Sequence, residues 1–127
     1  MWAALAAGVA SMILGALWYS PALFGKAWRA ASGVTEAQAK SANMAKTLGA
    51  AFVLAVIGAA VFAMFLGPRP APMFATAAGL AAGLCWVAGS FGINYLFERR
   101  PLRLFLINGG YHTLQYTLIG AVLGVWH

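Results

Sequence analysis

The sequence predicts an all-α integral membrane protein, a four-helix bundle with a short interfacial helix between spans 1 and 2. Hydrophobic residues make up 63% of the 127 residues and charged residues 8%, whereas a soluble domain carries about 25% charged residues. The apolar residues form four continuous runs, at about 1–19, 47–66, 73–97 and 104–126. Each run is long enough to cross about 30 Å of hydrocarbon as a helix. Continuous runs favour helices over a barrel, so we expect one transmembrane domain covering residues 1–127.

Each run carries small residues at a four-residue spacing, which predicts close packing between helices. The first run has no basic residues before it, unlike a signal peptide, so we expect it to be retained as a helix. The small residues are Ala3, Ala7, Ser11 and Gly15; Ala51, Ala55, Ala59 and Ala63; Ala75, Gly79 and Gly83; and Gly120 and Gly124.

The gap between the first two runs contains two predicted helix starts. Pro21 ends the first helix, and residues 22–31 interleave apolar side chains with two cations, which predicts a short helix in the membrane interface. Thr35 and Gln38 have the spacing of a capping box. We therefore expect the second helix to begin there and to project from the bilayer through polar positions that include Glu36, Lys40 and Lys46.

The basic residues are concentrated in two of the three gaps. Seven of the eight Lys and Arg residues lie in the first and third gaps, and only Arg69 lies in the second. Because basic loops stay in the cytoplasm, both termini are predicted to lie outside. The net charge of +6 then reflects topology and attraction to anionic headgroups, and no nucleic-acid partner is expected. The candidate contacts for an anionic headgroup or ligand are Lys26, Arg29, Arg99, Arg100 and Arg103.

Polar residues within the runs gather near the cytoplasmic end. Such residues usually face the bundle interior, so we expect a pocket that opens to the cytoplasm. In this pocket His112 is either a proton carrier or, as we favour, a neutral histidine hydrogen-bonded between helices. Glu98 is expected to pair with a neighbouring arginine. The candidate pocket residues are Trp18, Tyr19, Ser90, Asn94, Glu98, Asn108, Tyr111, His112 and Gln115.

Recognisable catalytic chemistry is scarce. The sequence contains no Asp and one cysteine, Cys85, so it offers no Ser-His-Asp set, no paired carboxylates and no thiolate cluster. We therefore predict no cofactor and no metal site, and catalysis is poorly supported.

Two functions remain open. The favoured one is a non-enzymatic accessory or packing subunit, as a homo-oligomer or within a larger membrane complex. The alternative is a small-solute or proton-coupled transporter that uses the polar pocket.

Two strings of aromatic, proline and charged residues carry a resemblance to a known family. They are LWYSPALFGKAW at residues 17–28 and LFERRPLRLFLINGGY at residues 96–111. The chain resembles a family of small four-span bacterial membrane proteins catalogued as a domain of unknown function. The resemblance covers essentially the whole chain and implies four helices in a bacterial inner membrane. It implies no activity, ligand or catalytic residue.

Overall fold

The computed structural model describes residues 2–35, 37–38 and 43–126. Five helices of eight or more residues occur in these ranges, residues 37–38 are also helical, and no strand occurs there, so the predicted all-α fold is confirmed. The helices are α1 (Trp2–Trp18), α2 (Gly25–Ser32), α3 (Met44–Leu66), α4 (Pro72–Glu98) and α5 (Leu102–Val125). By length and composition, α3 and α4 can cross a membrane, and α1 is apolar but shorter.

The four long helices lie side by side in the order α3, α1, α5, α4. Helix α1 contacts both α3 and α5, and α5 packs along most of α4. The apolar core lies where α1 begins and α5 ends, and the side chain of Ile119 is fully buried there. Its buried residues are Ala4, Ala7, Ala59, Phe62, Ala82, Ile119 and Leu123.

Glycines bring α4 and α5 into backbone contact. A Cβ atom at Gly79 would overlap the carbonyl oxygen of Tyr116, and one at Gly120 would overlap that of Ala75. A Cβ atom at Gly83 would lie 2.7 Å from the carbonyl oxygen of another α5 residue. The small-residue spacing of these two helices therefore marks their interface. The spacing on α3 is less informative, since Ala59 is buried but Ala51 is exposed.

A π-helical segment at Ala82–Ala88 interrupts α4. A π-turn takes up more residues than an α-turn, and one extra residue rotates the helix beyond it by about 100°. A regular helix carrying Ala75 and Gly79 on its packed face would also carry Trp86 there. Trp86 is instead 67% exposed, and Ala88 is buried. The π-segment thus changes which residues of the second half of α4 face α5.

The chain between α2 and α3 differs from the predicted continuous helix. The capping box does form: the Thr35 amide donates to Gln38 Oε1 at 2.9 Å, and the Gln38 amide donates to Thr35 Oγ1 at 3.1 Å. Asn43, however, is extended, and its side chain accepts a hydrogen bond from the Lys46 amide at 3.1 Å. The prediction that the second long helix begins at Thr35 is therefore wrong, because Asn43 caps a separate helix. The predicted polar positions Glu36 and Lys40 lie outside the described residues.

Candidate functional site

An aromatic–amide cluster lies where α1 and α4 end and α5 begins. Helix α1 contributes residues from its C-terminal end, and α5 contributes three residues from its first half. The second half of α4 adds two aromatic rings. We define the cluster as Trp18, Tyr19, Phe91, Tyr95, Asn108, Tyr111 and His112.

Asn108 is the centre of the cluster's hydrogen bonding. The Tyr19 hydroxyl donates to Asn108 Oδ1 at 2.7 Å, and Asn108 Nδ2 donates to the Tyr95 hydroxyl at 2.8 Å. Two further hydrogen bonds join α1 to α5. Trp18 Nε1 donates to the Ile107 carbonyl at 2.9 Å, and the Tyr111 hydroxyl donates to the Ser11 carbonyl at 3.0 Å. One amide therefore connects the ends of α1 and α4 through α5.

The aromatic rings contact one another in a circuit around this amide. Tyr19 lies 5.5 Å from Tyr111, centroid to centroid, and Tyr111 lies 4.9 Å from His112. The imidazole stacks on Phe91 at 5.0 Å with an interplanar angle of 12°, and Phe91 lies 5.6 Å from Tyr95. Because aromatic pairs with centroids 4.5–7 Å apart attract one another, the rings hold α1, α4 and α5 together.

His112 hydrogen-bonds within its own helix. Its Nδ1 atom lies 2.7 Å from Oε1 of Gln115, whose side chain is buried. Phe91 covers one face of the imidazole of His112. The ring of Tyr111 lies against the same imidazole in an edge-to-face arrangement. The favoured prediction was that His112 forms a hydrogen bond to another helix. That prediction is wrong, because Gln115 lies one turn away on the same helix.

Three predicted pocket residues lie elsewhere. Ser90, Asn94 and Glu98 are all on the exposed face of α4. The Ser90 hydroxyl donates to the Trp86 carbonyl at 2.6 Å, and Glu98 lies 3.5 Å from Arg100, as expected for a surface pair. Their four-residue spacing does place them on one face of α4. The π-segment turns that face away from α5. These three residues therefore do not line the expected pocket.

Sequence reasoning missed Phe91 and Tyr95. In the structure these rings, with Gly92 between them, face α5 in place of the polar residues. The available signal was their position in the chain, since both rings lie shortly before the basic residues Arg99 and Arg100. Without knowledge of the π-segment, the usual helical spacing assigns them to the wrong face.

The five predicted basic contacts do not lie together, and two of them line a groove. Lys26 and Arg29 line a groove of about 860 Å³ between α2 and the start of α3. Arg100 instead donates to the Ser32 carbonyl at 3.0 Å and fixes the end of α2. Arg99 and Arg103 are exposed and do not line the groove.

The cluster satisfies its own polar groups. In the described residues, every buried side-chain nitrogen or oxygen has a hydrogen-bond partner, as buried polar groups require. The same residues contain no group of three or more His, Cys, Asp or Glu side chains placed to hold a metal ion. The arrangement is therefore suited to locking three helices at one end.

The fold and the cluster define an all-helical protein with two helices long and apolar enough to cross a membrane. No curated protein and no solved structure matches the chain. The chain belongs to the DUF1761 family, described as proteins of unknown function, whose family model matches residues 2–124. The resemblance to a family of small proteins of unknown function is therefore confirmed.

Proposed function

We propose that the chain is a four-helix integral protein of a bacterial inner membrane and acts as a non-enzymatic packing subunit. Membrane embedding is supported by the exposure of α3, the more apolar of the two helices that are long enough to cross a membrane. Only 11% of the membrane-length window of α3 is buried, at a mean hydropathy of 2.5. A core helix of a soluble protein would be mostly buried, whereas lipid accounts for an exposed face of this composition.

The observation that carries the subunit role is a pair of polar side chains on the otherwise apolar outer surface of α4. Asn94 and Ser90 are exposed on this apolar helix, although polar side chains in membrane helices usually face protein. Asn94 precedes the end of the helix by four residues, or about 6 Å. We assign this face to a second copy of the chain.

The transporter alternative has less support from the geometry. Asn94 and Glu98, two of its proposed substrate contacts, lie on the outer face of α4. Asn108 is already bonded to two tyrosines, and His112 is bonded to Gln115. A substrate would have to displace these bonds, whereas a subunit needs only the exposed surface.

The subunit role is tested by measuring self-association in lipid bilayers. The wild-type chain should form a dimer whose dissociation constant rises about 3- to 18-fold in Asn94→Leu, since interhelical hydrogen bonds in membranes contribute about 0.6–1.7 kcal/mol. Ala50→Leu, on the exposed face of α3, is the matched control and should leave the constant unchanged. A wild-type chain that stays monomeric at every protein-to-lipid ratio contradicts the subunit role, and equal effects of both variants contradict the assigned face.

The proposed orientation places the α3–α4 turn outside and the α4–α5 turn in the cytoplasm. In a Cys85→Ala background, Pro70→Cys should react with a membrane-impermeant maleimide in intact cells. Arg103→Cys should react only after lysis. The reverse labelling pattern would contradict the orientation.

A further inference from the structure

The groove beside α2 lies outside the α4 surface that we assign to a second copy of the chain. Its volume of about 860 Å³ lies within the range of about 300–1,000 Å³ typical of ligand sites. It shares Tyr19 with the aromatic–amide cluster but otherwise lies outside it. Most of the wall that the described residues form is apolar, and its two charged side chains belong to α2. The lining residues are Tyr19, Pro21, Gly25, Lys26, Trp28, Arg29, Ala30, Met44 and Thr47.

The two charged side chains that the described residues contribute to the groove are both positive. Lys26 and Arg29 are three residues apart on α2, so they lie on the same side of the helix. Met44 opens α3, and the partial positive charge of that helix end therefore faces the same space. Glu98, the acidic residue in the described part of the chain, lies beside Arg100 and is not in the groove wall. An anionic group is thus the complementary ligand.

Three contacts hold α2 in place and so preform the groove. Trp28 meets Tyr19 edge-on at a centroid distance of 6.0 Å. Gly25 packs so closely against the backbone of Tyr19 that a Cβ atom would overlap its carbonyl oxygen. At the other end of α2, Arg100 binds the Ser32 carbonyl at 3.0 Å. A site held this way loses little freedom when it is filled.

We propose that this groove binds one anionic phospholipid. The headgroup phosphate pairs with Lys26 and Arg29, and an acyl chain lies along Trp28, Ala30 and Met44. The inference rests on the membrane location proposed above. It adds a specific site to the general attraction between basic loops and anionic lipid. A lipid fits better than a soluble anion because the cations border an apolar wall on a short helix with interfacial composition.

Native mass spectrometry of the full chain tests the site, with phosphatidylglycerol and phosphatidylcholine of identical acyl chains as probes. The wild-type chain should retain one phosphatidylglycerol molecule in preference to phosphatidylcholine. Lys26→Gln with Arg29→Gln should weaken this binding about 30-fold, which corresponds to about 1 kcal/mol for each basic residue. Arg99→Gln with Arg103→Gln removes the same charge outside the groove and should change binding less than threefold.

A second variant keeps the test valid if loss of charge disturbs folding. Ala30→Trp fills the apolar part of the groove and retains both cations, so it should also lose the retained lipid. Circular dichroism should show unchanged helicity in every variant that is compared. Equal losses in the two charge variants, or equal retention of both lipids, would overturn the proposal. The same spectra report the mass of the protein assembly, so failure of the lipid site is distinguishable from failure of dimerisation.

Discussion

Replacing Asn108 by leucine should destabilise the end of the helix group where α1, α4 and α5 meet. Leucine has a similar size but leaves the hydroxyls of Tyr19 and Tyr95 without the bonds of 2.7 and 2.8 Å that they make to the amide. Each interhelical hydrogen bond in a membrane contributes about 0.6–1.7 kcal/mol. Because all three side chains are partly buried, we expect a loss of about 1–3 kcal/mol for the pair.

The companion variant removes the hydroxyls as well. Asn108→Leu combined with Tyr19→Phe and Tyr95→Phe leaves no polar group unpaired in this network. Replacing all partners of a buried hydrogen bond by apolar groups can be nearly neutral, whereas leaving one partner unpaired is not. The triple variant should therefore recover most of the lost stability, although it carries more substitutions.

Reversible unfolding in mixed micelles, followed by circular dichroism, measures both variants against the wild-type chain. Tyr116→Phe is a suitable control, because it removes a tyrosine hydroxyl from α5 outside the network. If the triple variant is as unstable as the single variant, the loss comes from packing volume, and the argument from paired polar groups is refuted.

Two further predictions concern glycines and backbone strain. Gly120→Val should separate α4 from α5 and lower stability by several kcal/mol or prevent folding, because its Cβ atom would overlap the Ala75 carbonyl. The matched Gly49→Ala should raise stability by about 0.5–1 kcal/mol, since no atom lies within 4 Å of the added Cβ atom and alanine favours the helix. A loss of stability at both positions would contradict the distinction between a packed and an open glycine. Arg99 has a left-handed φ of 57°, so Arg99→Gly should raise the midpoint of thermal unfolding by removing about 1 kcal/mol of strain. Arg103→Gly lies within α5 and should lower it, and a fall in both would contradict the strain at Arg99.

The sequence was sufficient to predict the all-α fold and the small residues through which α4 and α5 pack. Both depend on regular periodicity, in apolar runs and in small residues, which hydropathy and spacing describe directly. For the same reason, the sequence assigns Asn108, Tyr111 and His112 to one pocket, and α5 is helical throughout Leu102–Val125. Trp18 and Tyr19 could be placed beside them because α1 ends at the same level.

Spacing failed where the backbone is irregular. Nothing in the hydropathy of Ala82–Ala88 distinguishes a π-helical segment from an α-helical one. The face that carries Ser90 and Asn94 was consequently assigned to the interior. At Asn43 the sequence did contain a capping residue, but the capping box at Thr35 predicted an earlier start for the same helix. Both starts exist in the structure, so local signals alone could not decide where the long helix begins.

The π-segment also explains how α4 serves two different interfaces with α5. Before it, Gly79 allows backbone contact, and the two helices lie as close as their chains permit. Beyond it, Phe91 and Tyr95 place large rings against α5, which needs both a wider space and a different helical face. A regular α-helix would present Ser90 to this space and expose the rings. By rotating the second half of α4, the segment puts the rings in the interior and leaves Asn94 on the outside, where we propose that a second copy binds.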